Sequence, residues 1–503
     1  MPKGKNYDSD FCGSLPLSHI NIIQDYGYLL VLENDTLRII QVSENIAELL
    51  SLDLDTIVGS LLADYTDASI VSELKQRFGE QIKDKIPFIL QLGDQKMATL
   101  AHFRSDCLVL ELEKANPENE RSFTSVFDDL RYAMAAIEHA GSIEEVSEIA
   151  IAELRKINGF DGVMMYRFDS DWNGTVLAEE RVEGLESYLG HTFPASDVPK
   201  QARQLYLQNP YRLIPNRNFK PVRLYPVINP QTKTFTDLAD CNLRGVAAVH
   251  LEYLKNMNVQ ASMSIRVIYH DQLWGLIACH HLTPRYLSLE LCGVCELLSL
   301  LISNKVTAIL YKQSFEEESR LQQIQTALAS AVYAENDLVA GLMNAEKTNL
   351  LQLFNANAAV AVVDGQQHII GDAPDESFIE NMVLWLQNKQ TDRVFATDQL
   401  PELFEDALPY AESASGVLVI PVDAETGDFI ICFRPEVVQT IKWGGDPNAA
   451  INFEPDGKNY HPRNSFKIWQ QTVHHTAISW TEQQLRAAEN LRSFIYEFIT
   501  RKI

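Results

Sequence analysis

The sequence predicts a multidomain α+β protein, with antiparallel sheets flanked by helices and long helices joining the domains. Three observations carry that expectation. At roughly 100–200 residues per domain, the 503 residues suggest three or four domains, each able to bury its own core. Short apolar runs of strand character recur in three separate stretches of the chain. Between the second and third, residues 287 to 353 carry apolar side chains at three- and four-residue spacing, with only two glycines and no proline, which predicts a long linking helix or two.

The elements follow in order. Residues 17–115 alternate "GYLLVLEN", "LRIIQVS" and "CLVLELE" with short helical segments, which predicts an α/β domain spanning 1–120 with its N-terminal segment; the polar stretch "KANPENERS" closes it. A second domain, 128–315, opens on an amphipathic helical stretch from Phe127 to Lys156. It continues through "GVMMYRF", "GTVLAEER", "SMSIRVIY" and "LWGLIACHH", strands of an antiparallel sheet separated by long irregular segments. The third domain, 316–503, holds "VAVVDGQQHIIGD", "GVLVIPVD" and "FIICFRPE". Inside it, residues 437–480 form a hairpin-like excursion rich in Gly, Pro and Trp, long enough to be functional. Residues 481–503 close the sequence as an amphipathic helix whose last residues are still apolar.

Composition narrows the function classes. A formal net charge of -26 argues against nucleic acid or an anionic membrane as the main partner, since both ask for a basic face. No run of about 18 apolar residues and no signal-peptide pattern is read in the sequence, so a cytoplasmic protein is expected. The seven cysteines are too scattered for a disulfide framework, and Cys292 and Cys295 sit in an apolar helical pattern that makes them core thiols. The common nucleotide-binding, zinc-protease and esterase signatures are absent, and "WGGDP" is only superficially like a diguanylate cyclase motif. The pair His280–His281 lies on a strand, where neighbours face opposite ways, so no shared metal ligation is expected.

One stretch stands out. In "HTFPASDVPKQARQLYLQNPYR" a single acid, Asp197, lies between two prolines, and from Val198 to Thr236 there follow seven Lys or Arg and no acid. Arg212 and Arg244 offer planar donors suited to carboxylates, while Tyr166, Tyr206, Tyr253, His250 and His280 offer aromatic faces with polar tips. Together they describe a pocket for a large, flat, conjugated molecule with acidic arms.

"FPASDVP", "LRGVAAVHLEYLKNMNVQASMSI", "LWGLIACHH" and "WGGDP…PRNSF" resemble the phytochromes, specifically the bacteriophytochrome photosensory module of PAS, GAF and PHY domains, across nearly the entire chain. The resemblance implies biliverdin IXα as cofactor. It implies that Asp197 offers its backbone carbonyl to the pyrrole N–H groups, with His250 by the inner rings. Arg212 and Arg244 then grip the propionates with Ser262 and Ser264, and Tyr166, Tyr206 and Tyr253 surround a D-ring whose carbonyl meets His280. Leu251 stands where plant and cyanobacterial members carry the attachment cysteine. The thioether is therefore expected from Cys12, which precedes "SHINIIQDYG", a stretch that keeps His19, Ile20, Ile23, Gln24 and Gly27 of the family's N-terminal motif but is one residue shorter. A figure-of-eight knot of that segment through a GAF loop is also implied.

The same resemblance implies red/far-red photochemistry between Pr and Pfr forms by D-ring isomerisation. The excursion 437–480 corresponds to the PHY tongue, with Arg463 pairing with Asp197 in Pr and Ser465 taking over in Pfr. The module itself is expected not to be an enzyme. It is expected to be a homodimer passing its signal through the terminal helix to an output domain, a kinase or a cyclase. The competing expectations are a GAF-type sensor of a cyclic nucleotide or haem, and a complete enzyme.

Overall fold

The computed structural model describes residues 17, 20–79, 85–114, 123–447, 451–453, 460–462 and 466–502. The chain divides into two units, Met1–Ile309 with Lys442–Trp469, and Leu310–Ile441 with Gln470–Ile503.

In the first unit, strands Gly27–Leu32, Ile39–Ser43, Lys85–Leu92, Gln95–Phe103 and Leu108–Lys114 pair antiparallel. Their inward residues, among them Leu30, Leu32, Val42, Leu90, Met97 and Leu110, form one apolar core. The sheet is extended from far along the chain: Val222–Tyr225 pairs with Ile39–Ser43 on one side and with Ile22–Ile23 on the other. Gly27 is required where this sheet meets the next segment, since a Cβ there would lie 2.6 Å from Leu243 Cδ2 and 2.8 Å from the Leu112 carbonyl oxygen. The expected knot concerns residues 1–16 as well, which lie outside the described residues.

The second sheet of this unit runs in the order Tyr211–Ile214, Ala261–Tyr269, Gln272–His281, Gly162–Phe168, Gly174–Arg181, Thr192–Phe193. The four strands expected from sequence are all present. The helical stretch expected over Phe127 to Lys156 is instead two helices, Phe123–His139 and Ile143–Asn158. Gly141 breaks it and Ser142 caps the second helix, its hydroxyl accepting the Glu145 N–H at 3.1 Å. Trp443 bridges Thr192 in parallel, and Phe466, 4% exposed, packs edge-on to Tyr253 with ring centroids 5.0 Å apart.

The second unit is built on the five-stranded sheet Gln366–Gly371, Ala358–Val363, Asp428–Arg434, Gly416–Asp423, Phe395–Thr397. One face packs on helix Glu376–Asn388 through Phe378, Met382 and Leu386. The other packs Leu418, Ile420 and Ile430 with Leu328, Val332, Leu491 and Ile495, the last two from helix Glu482–Lys502.

The linking helix spans Leu289–Glu335, shorter than 287–353, because Asn336 turns left-handed (φ 49°) and Asp337 caps a new short helix at Leu338–Leu342. Against the expectation from uninterrupted apolar runs, this helix is long and apolar enough to cross a membrane by length and composition, with 44% of its apolar window buried. Its apolar side chains are divided between a buried set, Leu298, Ile302 and Val306, and an exposed set, Leu297, Leu300, Tyr311 and Phe315. Cys292 and Cys295 are buried on it, as expected of core thiols.

Candidate functional site

Period-two alternation brings side chains far apart in sequence onto one face of the second sheet. Arg212, Ser264, Ala278 and Met164 are successive cross-strand partners; so are Ile214, Ser262, His280 and Gly162, and Leu276 pairs with Tyr166. All of these but Gly162 line a single cavity of about 220 Å³. The opposite face, with Val163, Met165, Met263, Ile277 and Cys279, is buried. His281, next along the strand, points away as expected and accepts the Asp161 N–H at Nδ1.

Two further elements close the cavity. The 3-10 turn Ala195–Asp197 follows Pro194, and Pro199 starts helix Lys200–Gln208; the two prolines hold the backbone extended on either side of Asp197. Helix Ala248–Asn256 presents His250 and Tyr253 three residues apart, with parallel rings at 6.0 Å and 10°. The Tyr253 hydroxyl donates to Asp197 Oδ2 at 2.8 Å. Asp197, Tyr166, Tyr206, Tyr253, His250, His280, Arg212, Arg244, Ser262 and Ser264, the ten binding residues singled out in the sequence, thus line one cavity. Cys12, Arg463 and Ser465 lie outside the described residues.

The two arginines are placed differently. Arg212 donates to the carbonyl oxygens of Asn242 and Gly245, both at 2.9 Å, and of Arg244, so it fastens the 242–245 backbone. Arg244 is 8% exposed, donates through Nη1 to the Leu17 carbonyl at 3.4 Å, and its buried Nε has no partner among the described residues. Burial and the adjacent Arg212 lower its pKa to about 9. Neither arginine has a carboxylate partner among the described residues, so the cavity is short of negative charge.

The histidines are neutral. Burial, with Arg212 nearby, lowers His250 to about 4, and burial with His250 nearby lowers His280 to about 4. Burial also raises Tyr166 and Tyr206, the latter hydrogen-bonded to Ser264. The walls between these polar groups are Phe193, Val246, Leu254 and Met257, together with Ser196, whose buried hydroxyl lacks a partner among the described residues. The sequence gives no signal for these, because they lie on a two-residue strand, a turn, a loop and the helix Ala248–Asn256, where no strand alternation marks them.

The site therefore suits a flat apolar molecule with anionic arms. The six described cysteines are all buried, and none lines the cavity. Leu251 packs in a neighbouring apolar cluster with Ile214, Phe219 and Val246.

Residues 12–115 match the model of the PAS fold, 142–306 that of the GAF domain and 321–503 that of the phytochrome region. The chain is 35% identical to cyanobacterial phytochrome B of a Nostoc species over 98% of its own length and 67% of that protein's. It is 32% identical to a bacteriophytochrome of Pseudomonas aeruginosa over 97% of its length and 66% of the relative's. It thus spans about two thirds of the length of the curated relatives it matches. The crystal structure of a bacteriophytochrome from R. palustris superposes with a TM-score of 0.84 at 31% identity, covering 98% of this chain and 99% of that one. The photosensory core module of a Stigmatella aurantiaca phytochrome superposes at 0.81 and 32% identity, covering 97% and 98%.

Proposed function

The chain belongs to the phytochromes, as a PAS–GAF–PHY photosensory module, and on that premise we propose that it is a red/far-red light receptor that holds biliverdin IXα through a thioether to Cys12. The observation that carries the reading is the cavity itself, lined by buried Arg244 and half-buried Arg212, neither with a carboxylate partner among the described residues, together with neutral histidines, tyrosines and apolar side chains. When bound, a bilin supplies red-light absorption and a double bond whose isomerisation turns its terminal ring between the Pr and Pfr forms.

The chain's own residues do the rest. Arg244, with Arg212, Ser262 and Ser264 beside it, holds the carboxylate arms. Neutral His250 lies by the inner pyrroles, and neutral His280 offers a hydrogen bond at the ring that turns. Asp197 supplies its backbone carbonyl to the pyrrole N–H groups. The choice of Cys12 is supported by the absence of any described cysteine from the cavity and by Leu17 and Ile20 lining it. Cys12 lies five positions before Leu17, a reach of up to about 17 Å of extended chain.

Residues 437–480 act as the switch, with Arg463 and Ser465 as successive partners of Asp197. Support comes from Ile468–Val473, a strand whose exposure alternates along its six residues. Phe466, Trp469 and Val473 are also spaced for one helix face. Refolding from strand to helix would shorten six residues by roughly 11 Å. Equal hydrogen exchange of this segment in both light states would remove that step. The exposed apolar set on Leu289–Glu335 supports a homodimer, and an output such as a histidine kinase or diguanylate cyclase is proposed for the remaining third of length found in the relatives.

The test is an absorption spectrum of the protein with biliverdin, before and after red illumination. A red band that shifts with light is expected, with zinc-enhanced fluorescence of the denatured band lost in Cys12→Ala. A colourless protein, or a coloured one indifferent to light, would overturn the reading.

A further inference from the structure

Behind the cavity, the sheet of residues 27–114 carries a buried charged lattice that touches no part of the cavity. His102 and Glu111 lie on adjacent strands, diagonal to one another, with side chains 1% and 3% exposed. His102 Nε2 donates to Glu111 Oε1 at 2.7 Å, and its Nδ1 lies 3.3 Å from Asp240 Oδ2 as an ion pair without hydrogen-bond alignment. Burial opposes both charges, yet contacts with Asp240 and Glu111 raise the His102 pKa, and His102 lowers that of Glu111.

His102, Asp240 and Cys241 have ligand atoms within 4.8 Å of one another, a spacing that suits a metal ion. Arg104 already supplies the positive charge there. It donates to Asp240 Oδ1, and its Nη2 lies 3.5 Å from Cys241 Sγ. Burial pushes the Cys241 thiol up, against formation of a thiolate ligand.

The use of the lattice lies on the other side of Glu111. Its Oε2 accepts the Leu243 N–H at 2.6 Å, and Leu243 immediately precedes Arg244. Gln24 Nε2 donates to the Asn242 carbonyl at 3.3 Å, and Arg212 holds the carbonyls of residues 242, 244 and 245. The backbone on both sides of Arg244 is thereby pinned. Moving Glu111 would leave a buried carboxylate without either partner, which gives the contact a defined position.

We propose that Glu111, oriented by His102, is a positioning residue: it sets the backbone of Arg244 so that a guanidinium whose Nε has no partner among the described residues meets a carboxylate arm of the ligand. The proposal rests on the reading of the cavity as a bilin site. Its test compares biliverdin with biliverdin dimethyl ester, which lacks the anionic arms, in a Cys12→Ala background where binding is reversible. Glu111→Ala is expected to weaken biliverdin about tenfold, the scale on which outer groups act on the ligands they orient, and the ester by less than about twofold. Glu111→Gln keeps an oxygen for the Leu243 N–H and is expected to restore most of the affinity. If Glu111→Ala does not fold, His102→Ala is measured with the same two pigments. Equal losses for both pigments, or no loss, overturn the positioning role. No colour from either pigment in the parent protein overturns the bilin reading first and the positioning role with it.

Discussion

Each unit of the molecule buries an arginine without an acidic partner among the described residues, and the two are used in opposite ways. In the second unit Arg434, 4% exposed, donates to the carbonyls of Phe354, Asn355, Ile478 and Ser479 and to Gln484 Oε1, and stacks 3.7 Å over Trp480. In the first unit Arg244 has one long contact and a buried Nε without a described partner. Burial lowers both pKa values, to about 10 and about 9. A charge saturated by carbonyls and an aromatic face closes a fold, whereas one left short of partners beside a cavity waits for a ligand.

Removing each guanidinium breaks the pair apart most sharply. Arg434→Met removes the donor from four carbonyls, of which that of Phe354 keeps Gln484 Nε2, and is expected to destabilise the second unit by about 4 kcal/mol, read by chemical denaturation, with pigment affinity unchanged. Arg244→Met is expected to leave the pigment-free protein as stable as before, or more so, and to weaken biliverdin by about 2 kcal/mol, roughly thirtyfold. If Arg244→Met melted like Arg434→Met, the contrast would vanish.

The cavity histidines give the next largest effect. With folded values near 4 against an ordinary 6.5, His250 and His280 stay neutral in the folded state while the unfolded chain takes up protons. Their stabilising contribution is present above pH 6.5 and is lost as pH falls from about 6.5 to about 4. After allowing for water in the cavity, each loss is about 1 kcal/mol, seen as a pH-dependent melt of the pigment-free protein that His250→Gln and His280→Gln flatten. The smallest effect is expected from Tyr253→Phe. Losing its bond to Asp197 costs about 0.5–1 kcal/mol, because water in the cavity can replace it. A loss of several kcal/mol would make that contact structural, like those of Arg434.

Much of the fold was legible because its signals are local. Alternation in "SMSIRVIY" and "LWGLIACHH", and three-four spacing in 481–503, survive unchanged as strands and a helix. The places of the breaks were not legible, because a local cap, the Ser142 hydroxyl on the Glu145 N–H, and the left-handed backbone of Asn336 set them, not the apolar pattern. The candidate residues are legible by chemical type alone, and their convergence comes from register: Ser262 faces His280 and Ser264 faces Arg212 only because the strands pair as they do. Glu111 carried no signal at all, since an acid in "CLVLELE" reads as a solvent-facing position.

By itself the sequence determined which side chains exist to be used: the acid between prolines, the arginines of an acid-free run, and a leucine, Leu251, directly after His250. It also determined the periods of strands and helices, which need only neighbours a few residues away. The tertiary structure alone decided that Arg212 would be spent on backbone and Arg244 kept for the cavity, and that Glu111 would reach Leu243 across 132 residues. Those outcomes depend on how sheets and loops pack, and desolvation, which sets the charge of every group in the site, exists only once they have packed.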